Sequence, residues 1–146
     1  MNEFFPVEFL RLIIALGLGV VIGLERSMAR KTAGMRTYGL VSMGSCLFII
    51  ISQLVVADSS LYGFDPMRTA AGIIMGIGFL CGGVIIFQNH ELTGLTTAAG
   101  LWVAAGIGMA VGFGQEMLAF FTTVLTLAVF TLLWTLEHFI TRKKRE

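Results

Sequence analysis

Charge is what this sequence has least of: Asp, Glu, Lys and Arg make up 13% of its 146 residues, against 56% hydrophobic ones. Soluble domains carry about a quarter charged residues, so the composition excludes an ordinary water-facing surface and points to lipid as solvent. Cysteine, proline and histidine occur only twice each. Cys46 and Cys81 fall inside apolar segments, where thiols are small packing groups, and their number and spacing exclude a disulfide framework or a zinc site. His90 and His138 form no paired motif. No phosphate loop is spelled, because Lys31-Thr32 lacks the preceding glycines, and no serine nucleophile elbow occurs. An enzyme or an ATP-driven pump is therefore not expected, nor a cofactor or a bound metal. Nucleic acid is not expected as a partner.

What is present is a series of long hydrophobic runs. A transmembrane helix needs roughly 20 apolar residues, and residues 37–57, 69–87, 95–114 and 117–136 each run without a charge. Residues 7–24 form a fifth run, interrupted only by Glu8 and Arg11. That first run lacks a basic approach and a cleavage site, so it reads as a retained helix rather than a signal peptide. The expected fold is all-α, a single five-span membrane domain over residues 1–146. Four basic residues stand in 25–36 and four more in Arg142-Lys143-Lys144-Arg145. With five spans these clusters share one face, so the positive-inside rule predicts the N-terminus outside and the C-terminus inside. The basic tail itself reads as an anchor to anionic headgroups.

The 18 glycines predict how the spans pack, because small residues let helices approach closely in lipid. Gly72, Gly76 and Gly83 fall within about 40° of each other on the third span. Gly78 and Gly82 form a second stripe roughly opposite, which predicts a third helix packed on both sides at the centre of the bundle. Gly100, Ala104, Gly108 and Gly112 recur at intervals of four on the fourth span. It should form a tight hairpin with a fifth, lipid-facing span that carries Phe120, Phe121 and Phe130 and the interfacial Trp134.

Two polar clusters stand out. On the first span, Glu8, Arg11, Ala15, Gly19 and Arg26 share a face about 80° wide, and an unpaired Arg11 costs a few kcal/mol in lipid. Glu8, Asp65 and Arg68 are its candidate outer partners, although Asp65-Pro66 also reads as a helix N-cap followed by proline. The second cluster is cytoplasmic: Glu25 and Arg26, then Gly34, Arg36 and Thr37, with Thr96 and Thr97 opening the fourth span. Helix N-termini there suit an anionic group, while the ordinary meaning of such threonines and basic loop residues is capping and topology.

Three segments resemble the membrane domain of the MgtC/SapB family. They are Gly19-Val20-Val21-Ile22-Gly23-Leu24-Glu25-Arg26 with Ala33-Gly34-Met35-Arg36-Thr37; Asp65-Pro66-Met67-Arg68-Thr69-Ala70-Ala71 running on to Gly76-Ile77-Gly78; and Gly94-Leu95-Thr96-Thr97-Ala98-Ala99 before Leu101-Trp102. Met35 and Tyr38 stand where the family more often has Leu and His, and Cys81 interrupts the glycine run. The resemblance implies a bacterial inner-membrane protein of magnesium homeostasis, linked in pathogens to survival inside host cells. Its partner would be a membrane complex such as the proton-driven ATP synthase, which it would restrain. It also marks Glu25, Arg26, Gly34, Arg36, Asp65, Arg68, Thr96 and Thr97 as site positions. Many members add a soluble ACT-like domain, and this sequence reads as a short form without it. The expectation is thus a homo-oligomeric modulator in the lipid bilayer. A small magnesium or other ion transporter or channel using the helix-end clusters is the alternative, and a purely structural or lipid-interacting bundle a third reading.

Overall fold

The computed structural model describes residues 4–57, 65–88, 91–133 and 135. Five helices carry the chain: α1 Phe4–Met28, α2 Met35–Ala57, α3 Pro66–Val84, α4 Leu95–Gly112 and α5 Glu116–Ala128, the last continued by a π-helical turn at Val129–Leu133. All five are long and apolar enough to cross a membrane once that turn is counted with α5. Even α4, with 18 residues, reaches about 27 Å at 1.5 Å per residue. The third span begins at Pro66 and ends at Val84, and the residues that follow form a small antiparallel hairpin, β1 Ile86–Gln88 with β2 Glu91–Thr93.

The helix ends follow from local chemistry. Asp65 caps α3 by accepting the Met67 amide at 2.8 Å, with Pro66 at the first helical position. The ends of α1 and α4 share one device. Lys31 N–H bonds back to the Arg26 carbonyl at 3.0 Å and Arg30 N–H to Ser27 at 3.1 Å. Gln115 and Gly114 do the same to Ala110 and Val111. This is the Schellman turn, which needs a left-handed residue after the helix. Gly114 supplies it at φ +76°, whereas on α1 the position is Arg30 at φ 54°. The second turn delivers the tight α4–α5 hairpin.

The centre of the bundle is α4, not α3. Ten residues of α4 are buried and it touches every other helix, while α3 buries only Ala70 and Ile77. The reason lies in the partners of the glycines. A Cβ on Gly108 would collide with the Ser42 carbonyl, and one on Gly112 would lie 2.8 Å from Ile49; α2 and α4 therefore cross backbone to backbone. On α3 a Cβ at Gly72, Gly76, Gly78, Gly82 or Gly83 would meet nothing within 4 Å among the described residues. Two small-residue faces permit close packing but do not compel it. The outer surface of α5 is apolar as expected, with Phe120, Phe121 and Leu125 exposed. Phe130 is the exception: it is buried and faces inward. Trp134, the histidines and the C-terminal basic run lie outside the described residues.

Candidate functional site

The bundle gathers its charged groups at two ends. At the end bearing residues 25–36, the last turns of α1 present Glu25 and Arg26. Arg26 is 3% exposed, its Nε donates to the Glu25 carboxylate, and its guanidinium lies 3.7 Å above the centroid of the Phe130 ring. Phe130 comes from the π-helical turn, a geometry in which one extra residue per turn re-aims a side chain. Beneath that ring is Gly100, where a Cβ would come within 2.7 Å of Phe130 and 2.5 Å of the Tyr38 hydroxyl. Tyr38, wholly buried, donates that hydroxyl to the Thr97 carbonyl at 3.1 Å. Glu25, Arg26, Phe130, Gly100, Tyr38 and Thr97 thus join α1, α5, α4 and α2 at one level.

Of the expected cytoplasmic residues, Glu25 and Arg26 pair, and Thr97 is linked to them through Tyr38, Gly100 and Phe130. Thr97 contributes its backbone carbonyl rather than a free amide. Gly34 belongs to the turn into α2, packed on Ser27, whose hydroxyl accepts the Met35 amide at 3.2 Å. Arg36 and Thr96 lie exposed. Tyr38 and Phe130 were not among the expected site residues. Tyr38 was visible only as a departure from the family spelling, and Phe130 was hidden among lipid-facing aromatics.

At the opposite end Arg11 pairs with Glu8 at 3.4 Å and with Glu116 at 3.3 Å. The second oxygen of Glu8 is buried with no partner among the described residues. Gly114 lets the guanidinium approach the α4–α5 turn. Asp65 and Arg68 do not join this cluster: Asp65 is occupied as the cap of α3, and Arg68 is exposed. Glu116 takes their place because the α4–α5 hairpin, not the start of α3, closes over α1.

Between the two ends the interior is apolar, with Ala15, Ile22, Ile49, Ala104, Ile107 and Val111 each at most 1% exposed. The buried hydroxyls mostly donate to their own helices: Ser45 to Val41, Ser52 to Ile49 and Thr123 to Ala119. Ser42, wedged between Gly19 and Gly108, has no hydrogen-bond partner for its hydroxyl among the described residues.

A model of the MgtC family matches residues 12–139. The chain is 43% identical over 126 residues to YhiD of Escherichia coli (strain K12), named a candidate magnesium transporter, covering 84% of this chain and 59% of that protein. It is 43% identical over 116 residues to Protein MgtC of Brucella abortus (strain 2308), covering 80% and 47% respectively. An uncharacterized protein of Haemophilus influenzae is 39% identical over 144 residues, covering 95% and 60%. The chain thus spans at most three fifths of the length of these relatives. No solved structure matches the chain with significance.

Proposed function

Because the chain belongs to the MgtC family, we propose that it serves magnesium homeostasis in the bacterial inner membrane by modulating a membrane partner, and that it does so without conducting ions itself. The single observation that supports this reading is the largely apolar, buried interior between two clusters of paired charges. An ion crossing lipid needs polar or carbonyl ligands near mid-membrane. Here the hydroxyls at that depth mostly donate to their own helices, and the charges nearest the interior are paired, Arg11 with Glu8 and Glu116 and Arg26 with Glu25.

In this proposal the end bearing Arg26 and Lys31 faces the cytoplasm, as the positive-inside rule asks. The exposed small-residue faces of α3 serve contacts with other chains, either further copies or a partner such as the proton-driven ATP synthase. Reconstitution into vesicles holding a magnesium-sensitive dye gives no flux above empty vesicles, while crosslinking in membranes captures a defined membrane complex through α3. Magnesium flux that disappears in Arg26→Gln would refute the proposal. It would establish the second reading, direct transport, which the name carried by YhiD favours.

A further inference from the structure

We propose that the cleft between the last turns of α1 and the end of α5 is a binding site for one anionic phospholipid, independently of what the protein modulates. The cleft encloses about 660 Å³. Along α1 it runs from Val21 to Met28, about 10 Å at 1.5 Å per residue, continuing to Lys31 in the turn that follows, and along the facing chain from Leu127 to Thr135. The part nearer the middle of α1 is apolar, lined by Val21, Leu24 and Leu127, and the part at the helix end is charged, lined by Glu25, Arg26 and Lys31. That polarity is the polarity of a lipid: acyl chain inward along the bilayer, phosphate at the helix ends.

Two features point to an anion at the charged end. Arg26 lines the cleft although only 3% of it is exposed, and among the described residues only its Nε is hydrogen-bonded. A guanidinium carries five N–H donors, so its two terminal nitrogens are held in place by Phe130 with no acceptor among the described residues. Lys31 is exposed, forms no ion pair among the described residues, and is delivered to the same rim by the Schellman turn through its amide bond to Arg26. Among the described residues that line the cleft, Arg26 and Lys31 against Glu25 leave one positive charge, which matches a phosphodiester with an uncharged headgroup. A phosphocholine headgroup would bring a second cation to the same rim.

The test uses the purified full chain, stripped of lipid in detergent, with native mass spectrometry in matched phosphatidylglycerol and phosphatidylcholine. Phosphatidylglycerol should give a one-to-one adduct that survives activation, and phosphatidylcholine should be lost first. Lys31→Glu, which reverses the charge, lowers the retained fraction by more than the about fivefold weight of one basic side chain at an anionic surface, and Lys31→Arg restores it. Leu127→Trp, which fills the cleft, removes the adduct while circular dichroism keeps the helical signal. Equal retention of the two lipids, or a parent-like adduct in Lys31→Glu and Leu127→Trp, would overturn the proposal. So would displacement of the adduct by excess inorganic phosphate, since the site would then recognise free phosphate and not a lipid.

Discussion

The contact between Arg26 and Phe130 permits a quantitative test of how the basic end is held together. A cation over an aromatic face contributes about 0.5–1 kcal/mol when exposed and about 2 kcal/mol or more when desolvated. With the guanidinium 3.7 Å from the ring centroid and Arg26 only 3% exposed, the upper figure applies. Arg26→Gln removes the cation and also strands Glu25, while Phe130→Leu removes the ring and also opens space above Gly100. Neither single change isolates the stack. In a double-mutant cycle those side effects occur in both arms and cancel. We expect a coupling of about 2 kcal/mol, close to a thirtyfold change in the unfolding constant. The assay is reversible unfolding in mixed micelles followed by far-ultraviolet circular dichroism. A coupling within about 0.5 kcal/mol of zero, the ordinary limit of additivity for independent sites, would refute the reasoning. It would mean that Phe130 is simply a core side chain and that Glu25 alone fixes Arg26.

Other predictions concern the remaining devices. Gly108→Ala places a methyl group against the Ser42 carbonyl; it should destabilise by about 1–3 kcal/mol in the same assay, while Gly76→Ala on the open face of α3 leaves the monomer unchanged or slightly more stable. Arg30→Gly relieves a left-handed residue that costs roughly 1–2 kcal/mol, less roughly 0.5 kcal/mol of added unfolded-state entropy, so it should stabilise by about 1 kcal/mol. Asp65→Ala should cost about 1 kcal/mol as a lost cap and show no coupling to Arg11→Gln. Glu116→Gln should couple to Arg11→Gln by about 0.5–1 kcal/mol, as a partly exposed ion pair does. A measured Arg11–Asp65 coupling would contradict the placement of α3.

Much of this fold was legible because lipid imposes simple rules. Runs such as 37–57 and 95–114 have no alternative to helix once they are in a bilayer, and Asp65-Pro66 announced the start of α3 by its own chemistry. The site was legible only where it is local: Glu25 and Arg26 are neighbours in sequence, so their pairing could be read. Phe130 lies more than a hundred residues from Arg26, and its inward aim depends on a π-helical turn that no periodicity of 3.6 foretells. The same limit misplaced α3. Its glycines spell a double interface as clearly as those of α4, yet whether a small face is filled depends on a complementary face elsewhere. Tyr38, Ser42 and Ile49 supply that face to α4.

The burial of α4 also bears on how the protein is made. It is the fourth helix to emerge, and its mean hydropathy is 1.5, below the 2.2, 2.1 and 1.9 of α1, α2 and α5, with alanine and glycine at the positions that meet its neighbours. The helix that every other helix leans on therefore has a smaller claim on the bilayer by composition than α1, α2 or α5. Its place waits on α1 and α2, whose packed surfaces at Gly19 and Ser42 must already stand in the membrane as a berth. A substitution that spoils that berth would do more than loosen the finished bundle. It would leave α4 outside the membrane and invert α5, so protease mapping of topology in whole cells would register damage that a stability measurement on surviving protein would miss.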